Sequence, residues 1–427
     1  MKILFIVDKY YPESSANTVC SDIIMNYFKA QGDSVDFLAI MESANDDMYS
    51  VQNGSNVIKI PTYHNYYTRK FGKIFKAKNW MEFPALFRKG FGFLYKVTHK
   101  PKYKTQNHSL DSLNYNYIYK CITKVCDKYD VIISSSMPFA LHAVASELMK
   151  KKLADNWFAI FLDPFVHNKC LDPKYINYRK KITQKILNGT DGIFMVDGVM
   201  EENIRLNYNP DYHKKVIEYP IPNLVKPDVK FENSCETDGL NLVYAGIFYD
   251  KIRNPKKMFD ILQKMPNKYT LNIYGGGCEK EINQFQSKNI GCKVIFNGRV
   301  EHKFCIDAIR KANVLVNLSN TITNQMPSKV FEYISYGKPV INFYFTEDDP
   351  SLKYFKKYPL AFNINVNNYT DDDIHKLIEF CEKNKYATMS FEDATSGMVE
   401  ARAENICKMV YNVVKGINDG VSVKEKK

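Results

Sequence analysis

Residues 324–340 read N-Q-M-P-S-K-V-F-E-Y-I-S-Y-G-K-P-V and predict a short helix followed by a buried strand. Pro327 suits the first turn of a helix, where its missing N–H leaves no bond unmade. Gly337 suits the left-handed position that ends a helix. The three apolar residues that share one helical face are Val330, Phe331 and Ile334. The apolar run that begins at Val340 is typical of a strand buried in a parallel sheet.

The N-terminus of this predicted helix is a favourable place for an anion. Its first N–H groups have no partner within the helix, and the helix dipole adds a partial positive charge. Lys329 adds a full charge, and Glu332 lies one turn further along, close to the same face. A group that binds phosphate and a carboxylate that can hold a sugar diol are therefore predicted within one turn. An ordinary helix–strand unit with well-formed caps would show the same residues.

The stretch resembles the donor-site motif of family-four glycosyltransferases, which have the GT-B fold. In that family the motif reads E-x7-E, followed by a small residue, Gly, any residue, Pro and Val. Glu332 matches the second glutamate, which holds the ribose of the nucleotide sugar in the family. Asn324 stands at the first glutamate, which contacts the donor hexose; an amide still hydrogen-bonds hydroxyls but carries no charge. The resemblance implies that Pro327, Ser328 and Lys329 contact the donor diphosphate.

The start of the chain predicts a compatible α/β fold. Residues M-K-I-L-F-I-V-D predict a buried strand, followed by a loop, a helix to about Gln31 and a second strand at Val35–Ile40. This order is typical of a doubly wound α/β sheet, and 427 residues suffice for two domains. The resemblance implies two Rossmann-like doubly wound domains that face each other across a cleft (GT-B), with a C-terminal helix crossing back to the first domain.

The predicted boundaries divide the chain into four parts. Residues 1–218 form an N-terminal acceptor-side domain with a basic aromatic insert at 61–110. The linker, 219–239, begins with Y-P-I-P-N. Residues 240–397 form a nucleotide-sugar-binding domain, and residues 398–427 form the crossing-back helix and a tail.

The resemblance assigns further residues of the second domain to the donor. Gly246 follows the first strand, and Arg253 in the next loop is expected to hold the diphosphate, since a guanidinium binds phosphate oxygens bidentately. The other predicted donor contacts are Gly275, Gly276, Arg299 and Val300. The two glycines end a predicted strand, where they would let the backbone approach the donor. The last two residues lie in N-G-R-V, which resembles the base-reading turn of the family.

Polar residues at two predicted strand ends are expected on the acceptor side of the first domain. Ser14–Ala16 replaces the Gly-Gly pair of the family, and a phosphate can still meet the helix N-terminus near Ser15 and Asn17. Simple N-capping explains these residues equally well. Asp163 lies at the end of a strand in F-L-D-P-F, which resembles a motif of the family's cleft, and His167 follows two residues after this stretch. Either side chain could orient or deprotonate an acceptor hydroxyl. The alternative for Asp163 is a cap of the following turn.

Segment 69–104 carries eleven Lys and Arg residues against one acid, Glu82, and therefore holds +10 of the net charge of +12. Large apolar residues alternate with these cations, which is typical of a segment on a membrane surface. The predicted contacts with an anionic membrane are Lys73, Lys76, Trp80, Arg88 and Lys89. A solvated basic face with inward-facing aromatics is the first alternative. Binding of single-stranded nucleic acid is the second, and no nucleic acid is expected as a partner.

Composition and motifs exclude several other classes. Ten cysteines are scattered without a C-x-x-C pair, which predicts reduced cytosolic thiols rather than a zinc site or a disulfide framework. Asp8 interrupts the N-terminal apolar run, so a signal peptide is not expected, and no apolar run has transmembrane length. The D-x-D pattern occurs at Asp371–Asp373, which looks like a helix start, so no metal is expected.

Together these features predict a retaining, metal-independent glycosyltransferase of the hexosyltransferase type; retention follows from the resemblance, because the family is retaining. The enzyme would move a sugar from a nucleotide-diphosphate sugar to a hydroxyl of a lipid-linked glycan acceptor during cell-surface polysaccharide assembly. Its expected location is cytoplasmic, peripheral on the inner face of the cell membrane, with no cofactor besides the nucleotide sugar. A nucleotide-sugar 2-epimerase of the GT-B fold is one alternative, against which the basic segment argues. A catalytically inactive, membrane-bound scaffold that binds the donor is another, and Asn324 supports it.

Overall fold

The computed structural model describes residues 1–10, 15–98, 104, 108–111, 113–169, 171–199, 216–228 and 239–418. The chain divides into two compact units. The first contains Met1–Pro220 together with the residues from Ile406 onward, and the second contains Ile221–Asn405. Each unit is built on one sheet with helices between its strands, which confirms the prediction of two doubly wound α/β domains.

The strands of the first unit are β1 Lys2–Ile6, β2 Ser34–Ile40, β3 Tyr49–Gln52, β4 Ser55–Ile60, β5 Tyr129–Ser136, β6 Ala154–Phe161, β7 Gly192–Val196 and β8 Val216–Tyr219. They form one sheet in the order β3-β4-β2-β1-β5-β6-β7-β8. All neighbouring strands are parallel except those of the β3–β4 hairpin, which the sequence pattern does not predict. The chain order reverses at β1, which pairs with β2 on one side and β5 on the other. Ligands of open α/β sheets bind beyond the carboxyl ends of the strands at such a reversal.

The helices between these strands are α1 Ala16–Ala30, α2 Tyr63–Phe75, α3 Ala85–Thr98, α4 His108–Asp111, α5 Tyr115–Ile122, α6 Ala140–Lys150 and α7 Ile176–Leu187. Short 3-10 helices lie at Trp80–Glu82 and Pro173–Tyr175. The insert between β4 and β5 therefore contains α2 and α3, and α2 begins after Thr62, whose side chain accepts from the Asn65 N–H.

The strands of the second unit are β9 Leu240–Ile247, β10 Tyr269–Gly276, β11 Lys293–Gly298, β12 Val314–Leu318, β13 Val340–Tyr344 and β14 Ala361–Asn365. Their order is β11-β10-β9-β12-β13-β14, and every neighbouring pair is parallel. All five residues of β12 are buried, because helices cover both faces of the central strands. The chain order reverses between β9 and β12, so the carboxyl ends of these two strands are the expected ligand-binding edge.

The remaining helices are α8 Lys256–Leu262, α9 Glu279–Lys288, α10 His302–Lys311, α11 Lys329–Ser335, α12 Leu352–Phe355, α13 Asp371–Asn384, α14 Phe391–Ala394 and α15 Ala403–Asn418. From Ile406 onward, α15 belongs to the first unit. The Tyr411 ring lies 5.0 Å from the Phe28 ring of α1, edge to face, and the Cys407 thiol donates to the Ile23 carbonyl at 3.7 Å. The last helix therefore packs on the first unit.

Two predicted boundaries of the second domain differ from the structure. The final helix begins at Ala403 rather than 398, because Met398 has non-helical φ and ψ angles within the preceding 3-10 segment. Part of the predicted linker, 219–239, belongs to the second unit, because Leu224 is buried and forms a bridge with Arg402. Residues 221–228 are thus part of that unit.

Several predicted segments lie outside the described residues. These are Ser14, positions 99–103 and 105–107 of the insert, positions 229–238 of the linker, and the tail beyond Asn418.

Candidate active site

A buried tyrosine attaches helix α11 to the end of strand β9. The Tyr333 hydroxyl accepts a hydrogen bond from the Ala245 N–H at 2.9 Å. Burial raises the pKa of this hydroxyl well above its ordinary value, so it stays protonated. The apolar face predicted for the helix is fully buried and consists of Val330, Phe331 and Ile334. Because both contacts fix the helix, its first turn is held at the carboxyl edge of the second sheet.

The two charged residues predicted to read the donor contact each other. Lys329 Nζ lies 2.7 Å from Glu332 Oε2, and the two side chains are 28% and 19% exposed. The helix begins at Lys329, with Ser328 as its cap, so Pro327 precedes the helix rather than occupying its first turn as predicted. A cation and a carboxylate therefore stand together, partly exposed, where the chain enters α11.

Gly337 ends this helix as predicted. Its φ is +61°, the left-handed region that favours glycine. A Cβ at this position would also lie 2.1 Å from the Met389 carbonyl oxygen. Both the backbone conformation and the close neighbour require glycine.

Arg253 is oriented by a tight turn after β9. Its N–H donates to the Tyr249 carbonyl at 2.7 Å, and its Nε donates to the Asn320 side-chain oxygen at 3.0 Å. The Asn320 amide donates in turn to the Gln325 carbonyl at 3.0 Å. Arg253 is thus linked, through Asn320, to the loop that leads into α11. Arg253 is partly buried, whereas the lysines of the same loop and of the start of α8 are exposed, namely Lys251, Lys256 and Lys257.

Two buried groups near Arg253 were not identified from the sequence. Burial raises the pKa of Tyr244 to about 12, and the charge and hydrogen bond of Arg253 oppose that rise. Burial also raises the pKa of Asp349, against hydrogen bonds from Ser351 and the charge of Arg253. The Asp349 Oδ1 accepts from the Ser351 N–H at 2.8 Å, at the start of α12. Arg253 therefore lies near a neutral phenol and a buried carboxyl group.

Gly246 and Gly275 lie opposite each other on β9 and β10. Gly275 has a φ of +148°, and a Cβ there would lie 1.7 Å from the Gly246 carbonyl oxygen. Gly277, with a φ of +85°, approaches the Phe248 carbonyl in the same way, at 2.1 Å. These glycines are required by the close approach of two strand ends, a reason that does not involve a ligand.

A side chain rather than backbone covers Gly276. A Cβ at this position would lie 3.3 Å from the Arg299 Nε and 3.6 Å from the Glu279 Oε1. Glu279 accepts from the Gly277 N–H at 2.8 Å, and this bond, helped by the Arg299 charge, lowers the pKa of Glu279. Val300, beside Arg299, is 36% exposed. The ends of β10 and β11 thus bring together Gly276, Arg299 and the acid Glu279, which sequence reasoning missed.

Asn324 lies in the loop between β12 and α11 and is 2% exposed. Met326 and Pro327 beside it are also buried. A carboxylate at this depth would lose its hydration, whereas a neutral amide carries a smaller cost. The burial therefore fits the residue present better than the glutamate of the family motif.

Asn17 and Asp163 meet at the carboxyl edge of the first sheet. The Asn17 amide donates to the Asp163 Oδ2 at 3.3 Å and to the Ser136 carbonyl at 3.2 Å. Asn17 follows β1, Ser136 ends β5 and Asp163 follows β6, and these three strands are neighbours in the sheet. The structure brings together two of the predicted acceptor-side residues, and the Asp163 carboxylate points toward the start of α1.

Ser15 acts as the N-cap of α1. Its hydroxyl accepts from the Thr18 N–H at 3.1 Å and donates to the Asp8 carboxylate at 2.9 Å. The capping explanation of this residue is therefore sufficient, although it places the hydroxyl at the same sheet edge.

His167 lies in the loop after β6 and is partly buried. Burial, together with the charges of Lys180 and Arg179, lowers its pKa. Arg179 is 1% exposed and donates to the carbonyls of Val166 and Asp172, at 2.8 and 2.9 Å. These bonds fix the loop that carries His167. Because its pKa is lowered, the His167 imidazole is neutral near pH 7, and this is the form that can accept a proton.

The aromatic residues of the insert pack largely against one another. The Phe87 ring stacks on Phe83 and Phe91, with centroids 4.9 and 4.2 Å apart. Trp80 joins this cluster at 5.6 Å from Phe83 and is half-buried. Trp80 therefore faces inward, as the alternative of inward-facing aromatics anticipated.

Other apolar side chains of the insert face solvent. They are Ile74, Met81, Leu86 and Phe93, each between 71% and 84% exposed. Lys73, Lys76 and Lys89 are also exposed, whereas Arg88 is partly buried and its Nη1 donates to the Met81 sulfur at 3.3 Å. The insert thus exposes cations and large apolar groups together.

Among the described residues, no three His, Cys, Asp or Glu side chains are grouped so that they could hold a metal ion. No helix in the described part of the chain has the length and apolar character that crossing a bilayer requires.

Residues 240–347 match the family Glycosyl transferases group 1. This segment includes Arg253, Asn324, Lys329 and Glu332. The match confirms the predicted resemblance of this segment to group 1 glycosyltransferases. No curated protein matches the chain in sequence.

Solved structures share the fold over nearly the whole chain. Sucrose-phosphate synthase from Thermosynechococcus elongatus has 12% sequence identity and a TM-score of 0.66, with 98% of this chain and 99% of that chain covered. HepE of Anabaena, in complex with UDP and glucose, has 11% identity and a TM-score of 0.61, with 97% and 100% covered. The lipopolysaccharide outer core galactosyltransferase WaaB has 14% identity and a TM-score of 0.56, with 98% and 100% covered. The fold is that of GT-B glycosyltransferases.

Proposed function

We propose that this protein transfers a sugar from a nucleotide-diphosphate sugar to a hydroxyl group of a lipid-linked glycan, with retention of configuration and without a metal ion. One observation carries the proposal: Arg253 and the Lys329–Glu332 pair follow β9 and β12, neighbouring strands in the segment that matches group 1 glycosyltransferases. Two cations and a carboxylate at one ligand-binding edge suit a nucleoside diphosphate, whose phosphates are anionic and whose ribose presents a diol.

The cations have a chemical task in this transfer. Negative charge builds on the diphosphate as the bond to the sugar breaks, and fixed positive groups stabilise that charge. Arg253 is held in place by Asn320, so it would act without a large rearrangement. Lys329 would exchange Glu332 for phosphate oxygens, and Glu332 would then accept from the ribose hydroxyls. With two cations supplied by the protein, the reaction does not depend on a metal for charge neutralisation.

Asn324 and the ends of β10 and β11 would complete the donor site. Asn324 would hydrogen-bond the hexose as a neutral group, and Gly276, Arg299 and Val300 would lie beside the base. HepE of Anabaena has been solved in complex with UDP and glucose and, separately, in complex with UDP-glucose. UDP-sugars are therefore the first donors to test.

The acceptor would meet the edge of the first sheet. Asp163, positioned by Asn17, would orient the attacking hydroxyl group, and His167 in its neutral form would accept a proton. WaaB is named for a transfer to lipopolysaccharide, which supports an acceptor with a lipid anchor. The exposed cations and apolar side chains of the insert would hold the enzyme at the inner face of an anionic membrane.

The test is the release of nucleoside diphosphate from UDP- and GDP-sugars, with and without a lipid-linked acceptor. The proposal expects release that rises several-fold with the acceptor and persists in EDTA. Release that needs an added divalent cation would contradict the metal-independent part. Failure of every donor to react or bind would contradict the proposal itself.

Asn324 favours one second candidate, a scaffold that binds the donor and does not transfer the sugar. The same assay separates the two, since a scaffold binds the nucleotide sugar in calorimetry yet releases no diphosphate with any acceptor.

A further inference from the structure

We propose that the first unit binds the hydrocarbon chain of a lipid phosphate in a cavity of about 340 Å³ beside the basic aromatic insert. The identity of that lipid as the carrier of the acceptor rests on the proposed function; the cavity and its chemistry do not. The lipid phosphate has two possible sources, an isoprenoid carrier and a membrane phospholipid, which share a long apolar chain and an anionic head.

One wall of the cavity is a face of helix α2. Tyr63, Tyr66, Tyr67 and Phe71 all line it, and their spacing places them on one side of the helix. Phe91 of α3 continues this wall, with its ring 4.9 Å from Tyr67 and 5.5 Å from Phe71. The wall consists of ring faces and edges rather than of flexible polar side chains.

The remaining surface is apolar and deeper. Ile60 and Ile118 line the cavity at 1% exposure each, and Leu113 at 7%. Tyr117 of α5 completes it, with its ring 6.4 Å from that of Tyr66. Concave sites of a few hundred cubic ångströms with mainly apolar walls are typical binding sites for small apolar ligands. An extended hydrocarbon chain suits such a cavity.

The charge at the cavity suits a phosphate head. Lys70 lines the cavity and is exposed to solvent, and none of the described lining residues is acidic. Burial raises the pKa of Tyr63 and Tyr67, and that of Tyr117 to about 12, so these phenols are neutral near pH 7. No anion of the lining therefore repels a phosphate. The absence of a carboxylate among these residues also argues against a nucleotide sugar, whose ribose diol is best held by such a group.

The position of the cavity gives it access to lipid. Helix α2, which supplies one wall, also carries Ile74, 73% exposed, and the following turn carries Met81, 71% exposed. Lys73 and Lys76 are exposed on the same helix and turn. A segment that rests on an anionic membrane through these residues would bring the mouth near Lys70 close to lipid chains.

The test uses farnesyl phosphate as a soluble probe, titrated below its micelle concentration without any sugar donor. Tryptophan fluorescence reports binding in the wild type and in the lysine variants, because the Trp80 ring lies 6.1 Å from Tyr67, whereas Trp157 is fully buried in the first sheet. Isothermal titration calorimetry reports binding in Tyr66→Trp, which adds a tryptophan to the cavity lining. Lys70→Glu should weaken binding at least tenfold, and Tyr66→Trp should weaken it by narrowing the cavity. Farnesol, which lacks the phosphate, should lose affinity in Tyr66→Trp but not in Lys70→Glu.

Lys120→Glu is the matched control, since it makes the same charge change at an exposed residue of α5 that does not line the cavity. The affinity of this variant for farnesyl phosphate should stay within about twofold of wild type. Absence of saturable binding by the wild type, or an equal loss in Lys120→Glu and Lys70→Glu, would overturn the proposal. Competition by a short-chain phosphatidylglycerol would support the site with phospholipid as the source, and competition by isoprenoid phosphates alone would support it with the carrier. Because no nucleotide sugar is present, failure of the transfer reaction would leave this result intact.

Discussion

Replacing Glu332 by alanine is expected to weaken UDP binding while the protein stays folded. In the structure the Glu332 carboxylate lies 2.7 Å from Lys329, and both side chains are partly exposed. An exposed or partly exposed ion pair of this kind contributes about 0.2–1 kcal/mol to folding. A charge-assisted hydrogen bond to a ribose hydroxyl contributes about 1.5–3 kcal/mol, which corresponds to roughly a 10- to 150-fold loss of affinity.

Calorimetric titration with UDP and 2′-deoxy-UDP measures this effect and its origin. Wild type should prefer UDP, because the carboxylate accepts from the ribose, and Glu332→Ala should lose that preference. Asp372→Ala is the control: Asp372 pairs with Lys376 at 2.7 Å on α13, in the same unit, and is 71% exposed. This variant should bind UDP as wild type does.

Equal UDP affinity in Glu332→Ala and wild type would refute the assignment of Glu332 to the donor site. A loss of affinity that is the same for UDP and 2′-deoxy-UDP, with the preference retained, would place Glu332 away from the ribose. A fall of the melting temperature by more than a few degrees without ligand would show that the ion pair supports the fold instead.

Three further predictions concern charge. Arg253→Ala and Lys329→Ala should each lower kcat more than they raise KM, because negative charge grows on the leaving diphosphate. Asn324→Glu, which restores the family pattern, should lower activity, since position 324 is 2% exposed and a carboxylate there would be buried. Lys338, whose Nζ donates to the Ala312 carbonyl, has its pKa lowered by burial from 10.5 to about 8, so the unfolded state binds more protons between these values. The free energy of unfolding of wild type, relative to Lys338→Met, should therefore rise from pH 8 to 10.5.

Each of these predictions has a contradicting result. Wild-type kcat in both Arg253→Ala and Lys329→Ala, with the natural donor, would exclude the leaving-group role. Higher activity of Asn324→Glu would indicate a site that has lost its function. If the difference in free energy of unfolding between wild type and Lys338→Met, measured in urea, does not change with pH, the charge of Lys338 does not destabilise the folded protein.

The α11 region was predictable because its signals are local. The left-handed Gly337, the apolar face and the following strand depend on residues within one turn, and all three were found. The pattern predicts the start of the helix too early, at Pro327, since a proline suits several positions near a helix N-terminus. Contacts over long sequence distances were not predictable. Tyr333 reaches Ala245 across 88 positions, and nothing in the local pattern indicates that partner.

The glycines and the insert show a second limit. Gly275 was expected to admit a donor, but the structure shows that it is needed where two strand ends approach, and sequence patterns do not distinguish these reasons. In the insert, alternation of cations and aromatics predicts an amphipathic segment without specifying which rings face inward. Packing between α2, the 3-10 helix that follows it and α3 decides which rings are buried: Phe83 is buried and Phe93 is exposed. The sequence predicts a linker that is too long, because the bridge between Leu224 and Arg402 joins residues far apart in the chain.

Nuclear magnetic resonance of the anomeric protons, followed in real time with a UDP-sugar and a lipid-linked acceptor, tests the central claim most directly. The donor signal should be replaced by that of a new glycoside with the same anomeric configuration, and this should also occur in the presence of EDTA. Appearance of the C2 epimer of the nucleotide sugar would instead identify an epimerase. An unchanged donor signal with every acceptor, or a glycoside of inverted configuration, would contradict retaining transfer.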